Sequence, residues 1–259
     1  MSGPIGLHGG GECLSGDEPF LASLLAAARP AVTERLGTCL PGTSSDPGRL
    51  RVAIVPTAAA RQDAGRAAAT CGTAIERTAA RAGVEAWIST VPIVDIASAA
   101  SPTLAAVLAG ADVVYLPGGD PDLIPTLFAG SAAWRAILAA HARGAVVAGA
   151  SAGAMALGGW TWTPAGGQPG LGLVPGLVVA PHLDPRRPES VASRVAVAVP
   201  PDAALRGIVG LAERTGLIGE RQPGGERRWR VHGEGLARWE GRDGTVLEGR
   251  DGDVLALPI

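Results

Sequence analysis

A serine flanked by glycines is the strongest chemical signal in the sequence. Gly149-Ala150-Ser151-Ala152-Gly153 matches the Gly-x-Ser-x-Gly pattern of a nucleophile elbow, in which a strand turns sharply into a helix. The glycines leave room for the turn, and the N-terminus of the following helix favours negative charge that develops during attack. A plain small-residue turn would have the same composition in a chain this rich in Ala and Gly. The apolar segment before the motif favours the elbow, with Ser151 as nucleophile.

A second glycine turn, Pro117-Gly118-Gly119-Asp120, follows the preceding apolar segment. Neighbouring parallel strands end at the same edge of a sheet, so we expect this turn near Ser151. The backbone N–H groups of Gly119 and Ala152 could then bind the carbonyl oxygen of a substrate, and each such donor contributes roughly 10²–10³ in rate. The alternative is an ordinary turn that leads into a helix near Pro121.

A nucleophilic serine needs a base, and the chain has four histidines to supply it. His141 lies inside a predicted helix, which favours a solvated position or a role at the helix C-terminus, and His232 lies in a late strand, which favours a structural role. His8 ends the first predicted strand and could line the cleft. His182 follows the apolar run 176–180 and precedes Leu183, which places an imidazole at a strand end. His182 is therefore the predicted base.

An acidic side chain beside His182 would fix its tautomer and stabilise the imidazolium that forms during attack. Glu213 lies between two apolar segments, and Asp184 and Asp202 are alternatives. The residue pattern alone leaves these three open.

The elements that must position these residues follow an alternating pattern. Short apolar runs alternate with Ala-rich helical segments through the first 160 residues, which predicts a doubly wound, mostly parallel α/β sheet with helices on both faces. Strands are predicted at residues 3–8, 51–56, 85–90, 112–116 and 145–148, and helices at 18–35, 64–82, 104–109 and 132–143.

After Gly158 the chain changes to short segments separated by Gly and Pro. At the end of the chain, the segments 241–244 and 250–253 each contain an Asp-Gly turn signal, which predicts a C-terminal antiparallel β extension. Asp243-Gly244 and Asp251-Gly252 are each predicted to form a hairpin turn. The late apolar segments are residues 177–180, 216–218, 228–232 and 235–239.

Composition excludes several classes of protein. A net charge of −2 gives no basic surface for nucleic acid or an anionic membrane. No apolar run reaches the length of a membrane helix and no signal peptide is evident, so we expect a cytoplasmic protein. All 22 basic residues are Arg, which excludes lysine-dependent chemistry such as Schiff bases and the Ser-x-x-Lys arrangement.

The length of 259 residues suits one domain, residues 1–259. The three cysteines, Cys13, Cys39 and Cys71, are widely spaced and are expected to be reduced thiols rather than disulfide or zinc ligands. Apolar faces of Ala-rich helices could pack internally or against a second subunit, so the sequence leaves a homo-oligomer open.

Four segments, in order, resemble peptidase family S51, which includes peptidase E and cyanophycinase and has the class I glutamine-amidotransferase-like fold. The segments are Gly9-Gly10-Gly11-Glu12, Pro117-Gly118-Gly119-Asp120, Gly149-Ala150-Ser151-Ala152-Gly153-Ala154 and Val179-Ala180-Pro181-His182. A fifth segment, residues 210–215, is similar to the Gly-x-Asp-Glu-x-Thr stretch of cyanophycinase-like members. The ordered combination is far more specific than any single motif.

The resemblance implies a serine peptidase that cleaves small peptides through a Ser151-His182-Glu213 triad, without a metal or organic cofactor. An Asp-preferring dipeptidase or other exopeptidase and a cyanophycinase-like enzyme fit equally. Members that recognise Asp use arginine near the catalytic histidine, because a guanidinium binds a carboxylate through two parallel hydrogen bonds. The residues implied to bind substrate are Gly118, Asp120, Arg186, Arg187 and Arg194.

The sequence leaves two rival functions open. A glutamine amidotransferase would share the fold but requires cysteine at the elbow, where this chain has Ser151. A binding protein that retained the fold without catalysis would not react with a serine-directed phosphonate.

Overall fold

The computed structural model describes residues 2–38, 48–163, 166–188, 195, 198–200 and 203–259. The helices are α1 (Glu18–Thr38), α2 (Ala64–Arg81), α3 (Ile96–Ala100), α4 (Pro102–Ala109), α5 (Leu123–Phe128), α6 (Ala132–Ala142) and α7 (Ala152–Leu157), with a 3-10 helix at Thr57–Ala59. The strands are β1 (Ile5–His8), β2 (Leu50–Ile54), β3 (Ala86–Thr90), β4 (Val113–Leu116), β5 (Val146–Ala150), β6 (Gly158–Thr163), β7 (Gly166–Pro169), β8 (Val174–Ala180), β9 (Gly207–Leu211), β10 (Thr215–Arg221), β11 (Arg227–Gly233), β12 (Ala237–Gly241), β13 (Val246–Gly249) and β14 (Val254–Leu255).

The main sheet has the strand order β14-β11-β10-β1-β5-β4-β2-β3 in the described part of the chain. Strands β1, β5, β4, β2 and β3 run parallel, and β10, β11 and β14 add to one side in antiparallel orientation. This confirms the predicted fold class, a mostly parallel α/β sheet with antiparallel strands from the C-terminal part. The five predicted strands and four predicted helices all occur, with ends within a few residues of those expected.

The central strands are apolar throughout because both faces of the sheet are covered. All five residues of β5 are buried. In β4, Val113 and Tyr115 join the core on one face, and Val114 and Leu116 join the core on the other. Helices α1 and α2 cover the first face, and α6 contributes to the second.

A second sheet has the order β13-β12-β9-β8-β6-β7 in the described residues. Its buried side chains belong to the same hydrophobic core as the second face of the main sheet. Within the second sheet, β6, β8 and β9 are parallel, and the remaining pairs are antiparallel. The sequence did not predict this separate sheet, because Gly and Pro interrupt its segments and partly hide their strand character. Of the late predicted segments, 177–180 and 235–239 lie in this sheet, whereas 216–218 and 228–232 lie in the main sheet.

The two Asp-Gly turns have different roles. Asp243-Gly244 joins the paired strands β12 and β13, as a hairpin turn should. Asp251-Gly252 leads from β13 in the second sheet to β14 in the main sheet, so the predicted second hairpin is wrong. Both glycines have a positive φ, 84° and 86°, which explains why the local signal looks the same at the two turns.

No helix in the described part of the chain is long and apolar enough to cross a membrane. Cys13 and Cys71 are buried free thiols, as predicted, and Cys39 lies outside the described residues.

Candidate active site

Ser151 lies in a sharp turn between β5 and α7. Its backbone has φ 48° and ψ −114°, a conformation that costs an L-residue about 1–3 kcal/mol. The flanking glycines permit this turn, because a Cβ at Gly149 would lie 2.3 Å from the carbonyl carbon of Gly153, and one at Gly153 would lie 2.0 Å from the oxygen of Leu116. The N–H of Ser151 donates to the carbonyl of His8 at 2.9 Å. The turn therefore holds the serine at the carboxyl edge of the sheet.

The structure brings Ser151, His182 and Glu213 together. Oγ of Ser151 lies 3.0 Å from Nε2 of His182, and Nδ1 of His182 lies 3.0 Å from Oε1 of Glu213. If Nδ1 donates its proton to the carboxylate, Nε2 is left to accept the serine proton. The His182 side chain is 47% exposed and that of Glu213 is 61% exposed, so the row of three groups is open to a ligand.

The base and the acid come from the second sheet, whereas the serine comes from the main sheet. His182 follows β8 and has a φ of 55°, and Glu213 follows β9. Backbone hydrogen bonds fix both segments, since the N–H of His182 donates to Gly9 and the N–H of Arg214 donates to Gly10, each at 2.8 Å. These contacts hold the two strand ends against the segment that follows β1.

The segment that follows β1, residues 9–16, is the glycine-rich loop. Gly10 has φ 115°, and a Cβ there would lie 2.3 Å from Cε1 of His182, so the imidazole packs directly on this glycine. The next side chain with a polar group, Glu12, accepts a hydrogen bond from the N–H of Gly118 at 2.7 Å. The loop thus touches both the base and the second glycine turn, and the contact of Glu12 is one that the sequence did not predict.

The second glycine turn lies beside the serine, as expected. A Cβ at Gly118 would lie 3.0 Å from Cβ of Ser151. Gly119 has φ 146°, and a Cβ there would lie 2.3 Å from the carbonyl oxygen of Ala58. The N–H groups of Gly119 and Ala152 have no acceptor among the described residues, whereas the N–H of Gly118 already donates to Glu12.

The residues implied to bind substrate differ in their exposure and in their contacts. Asp120 is paired with Arg61, with Nη1 and Oδ2 2.7 Å apart, and its other oxygen accepts the N–H of Asp122. Arg186 and Arg187 are exposed in the turn that follows His182. Arg194 lies outside the described residues.

Of the two alternative acids, Asp184 makes no contact with the histidine. Asp184 is exposed, and its Oδ1 accepts the N–H of Arg186 at 2.9 Å. Asp202 lies outside the described residues. The described residues contain no cluster of three or more His, Cys, Asp or Glu side chains that could hold a metal ion.

The other histidines do not lie in the cleft. His8 is fully buried against Asp17, so the expectation that it could line the cleft is wrong. His141 is buried with Nδ1 3.2 Å from the carbonyl of Ala145, because the end of α6 packs inward, so a solvated position is also wrong. His232 is hydrogen-bonded to Ser23 at 3.0 Å. His182 is thus the histidine that the structure places at Ser151.

A strained serine at the carboxyl edge of a parallel α/β sheet, with an imidazole and a carboxylate aligned beside it, is typical of serine hydrolases. The model of peptidase family S51 matches residues 34–219, and the chain belongs to this family. It is a serine peptidase, as the sequence predicted.

Solved structures with the same fold are also peptidases. The crystal structure of a peptidase from an acI-B1 Actinobacterium matches with a TM-score of 0.73 and 22% identity, covering 99% of this chain and 98% of that one. A putative peptidase E protein from Listeria monocytogenes EGD-e matches with a TM-score of 0.53 and 15% identity, covering 96% and 99%. A comparison with curated proteins gave no match. At these identities the likeness concerns the fold.

Proposed function

We propose that this peptidase hydrolyses small peptides through a Ser151-His182-Glu213 triad and an acyl-enzyme. The observation that carries the proposal is the alignment of the three side chains, with two contacts of 3.0 Å, on a serine whose backbone is held in a strained turn. Nucleophile, base and orienting acid each need hydrogen-bond distance to the next group, and the observed distances meet that requirement.

In the first half of the reaction, Nε2 of His182 removes the proton of Ser151 as Oγ attacks the scissile carbonyl. Glu213 stabilises the imidazolium that results. The N–H groups of Gly119 and Ala152 donate to the oxyanion, a role supported by their lack of other acceptors among the described residues. His182 then protonates the leaving amine, the C–N bond breaks, and the acyl group stays on Oγ.

In the second half, water attacks the acyl-enzyme. His182 accepts a proton from that water and returns it to Oγ as the ester bond breaks, which releases the carboxylic acid product and restores the enzyme. The overall reaction consumes one water and needs no other reactant.

We further propose that the preferred peptides carry a carboxylate side chain, as in an Asp-preferring exopeptidase or dipeptidase or a cyanophycinase-like enzyme. Arg186 and Arg187 support this preference, because they are exposed in the turn immediately after His182. Their side chains make no ion pair with the described residues, so both are available to a substrate carboxylate.

The decisive experiment compares Ser151→Ala with the wild-type protein on a panel of short peptides that includes N-terminal Asp dipeptides and β-linked Asp-Arg. We expect hydrolysis by the wild type, loss in the variant, and labelling of Ser151 by a fluorophosphonate. Ser23→Ala is a matched control, since Ser23 also bonds a histidine, His232, but away from the site. Full activity of Ser151→Ala would overturn the assignment, and ammonia release from glutamine would favour an amidotransferase-like activity instead.

A further inference from the structure

Glu12 connects the glycine-rich loop to the turn beside the nucleophile. Its Oε1 accepts the N–H of Gly118 at 2.7 Å, although the two residues are 106 positions apart. A Cβ built at Gly118 would lie 2.7 Å from this oxygen and 3.0 Å from Cβ of Ser151, so the carboxylate and the nucleophile border the same small space. No basic side chain among the described residues lies within ion-pair distance of Glu12. The carboxylate therefore serves here as a hydrogen-bond acceptor.

The turn that receives this contact needs outside support. Two consecutive glycines have the largest conformational freedom of any dipeptide, and Gly119 adopts φ 146°, where few other residues are stable. One anchor lies after the pair, where the N–H of Asp120 donates to the carbonyl of Ala58 at 2.7 Å. The bond to Glu12 is the anchor before the pair. Together they fix both peptide groups that flank the N–H of Gly119.

The position of Glu12 is itself fixed by the contacts of the next residue, Cys13. The N–H of Cys13 donates to Oδ2 of Asp17 at 2.7 Å, and Asp17 is fully buried. Cys13 has a φ of 63°, which turns the chain so that the preceding side chain faces the glycine turn. Because the backbone beside Glu12 is fixed, its carboxylate can fix the N–H of Gly118 in turn.

We propose that Glu12 is a positioning residue of the oxyanion hole, which orients the N–H of Gly119 by accepting the N–H of Gly118. The proposal rests on the proposed function, because it assumes that Gly119 binds the oxyanion. A carboxylate oxygen suits this place because it accepts a hydrogen bond, and an amide oxygen can accept the same bond. The role depends on an acceptor oxygen and not on the negative charge.

The test measures the second-order rate of phosphonylation of Ser151 by a fluorophosphonate, whose phosphoryl oxygen occupies the oxyanion hole. Glu12→Ala removes the acceptor, and we expect a loss of about 10–100-fold, somewhat less than for a lost donor since Gly119 itself remains. Glu12→Gln retains an acceptor oxygen, and we expect a rate within about threefold of the wild type. Neither variant should shift the pH at which the rate is half-maximal, because His182 and Glu213 are unchanged.

Glu18→Ala is the matched control, because Glu18, the first residue of α1, accepts the N–H of Gly16 at 2.8 Å at the other end of the glycine-rich loop. We expect its rate to be unchanged. Equal losses in Glu12→Gln and Glu12→Ala, a shifted pH profile, or a normal rate in Glu12→Ala would each overturn the positioning role. Absence of labelling in the wild type would instead count against the proposed function itself, so the two failures are distinguishable.

Discussion

Nε2 of His8 lies 2.8 Å from Oδ1 of Asp17, and both side chains are completely buried. The two atoms are close, but their approach lies off the ideal hydrogen-bond direction. Nδ1 of the same ring accepts the N–H of Gly10 at 3.3 Å, which requires the ring proton to be on Nε2, toward the carboxylate. The residues on either side of the glycine-rich loop, His8 and Asp17, are therefore in contact in the protein interior. This buried contact fixes both ends of the loop.

Replacing Asp17 tests how much the buried contact between His8 and Asp17 stabilises the protein. Asp17→Ala leaves His8 and the N–H of Cys13 without their acceptors in a buried place, so we expect the free energy of unfolding to fall by about 2–5 kcal/mol, at about 1–3 kcal/mol for each donor. Urea denaturation measures the loss. Asp63→Ala is the control, because Asp63 caps α2 by accepting the N–H of Arg66 at an exposed position, where the cost is about 1 kcal/mol. Equal losses in the two variants would contradict the proposed importance of the buried pair.

Gly10 should be needed for activity as well as for stability, because its φ of 115° disfavours other residues and its Cα lies against the imidazole of His182. In Gly10→Ala the new methyl group would lie 2.3 Å from Cε1 of His182, so the imidazole must move from Oγ of Ser151. We expect kcat to fall by about 100-fold, since small misplacements of a catalytic group are costly.

Gly83→Ala separates this effect from the cost of a positive φ. Gly83 has φ 64° with no atom within 4 Å of the added Cβ, so we expect destabilisation of about 1–2 kcal/mol with normal kcat. A normal kcat in Gly10→Ala would show that the ring position tolerates the methyl group.

The identity of the triad acid can be tested by removing one charge at a time. In Glu213→Gln we expect kcat to fall by about 10²–10⁴, because the amide no longer stabilises the imidazolium and can favour the wrong tautomer. In Asp184→Asn we expect a change of less than about threefold, because this carboxylate accepts the N–H of Arg186 and does not lie against the ring. Peptide hydrolysis rates under substrate saturation give the comparison, and the reverse ranking would move the role to Asp184.

The proposed carboxylate preference depends on arginine charge. Arg186→Gln and Arg187→Gln should each raise KM for an N-terminal Asp dipeptide by about tenfold, with little effect on an Ala dipeptide, because one charge-assisted contact is lost. Arg135→Gln, on α6, is the control, since that side chain donates to the carbonyl of Gly130. If both peptides are affected equally, the arginines act on the fold rather than on the substrate carboxylate.

Stability should fall in mild acid. Burial lowers the pKa of His141 and of His232 below the ordinary value of about 6.5. The unfolded chain therefore binds more protons than the folded chain below that pH, so the free energy of unfolding declines as the pH falls from about 6.5 toward the lower folded-state values.

Thermal unfolding at a series of pH values measures this decline. His141→Gln cannot take up the proton, so we expect its stability to change less with pH across the same range. An identical pH dependence in variant and wild type would assign the effect to other groups.

Much of the fold follows from local patterns. Strand β5 and the small-residue turn at Ser151 were predictable, because a buried parallel strand is continuously apolar and only glycine fits on either side of the elbow. His182 was predictable as the base from its place at a strand end. The catalytic roles of Ser151, His182 and Glu213 stay predictions until activity is measured, although the structure brings the three together.

What the sequence did not predict involves residues that are distant along the chain. The contact of Glu12 with Gly118 depends on how two loops meet at one sheet edge, and no local period encodes such a meeting. The burial of His8 depends on Asp17 being folded beneath it. The second sheet was missed for a related reason: β8 and β9 are parallel neighbours, so no tight turn joins them to mark their pairing.

Ser151 is carried by β5, whereas His182 and Glu213 are carried by β8 and β9, so the reacting atoms keep their 3.0 Å spacing only while the two sheets stay in register against their shared core. A slip of one sheet by a single ångström would leave every strand intact and still disconnect the base from the nucleophile. The turnover rate therefore reports on the relative position of the two sheets. It is more sensitive to a shift between them than a spectroscopic measurement of strand content.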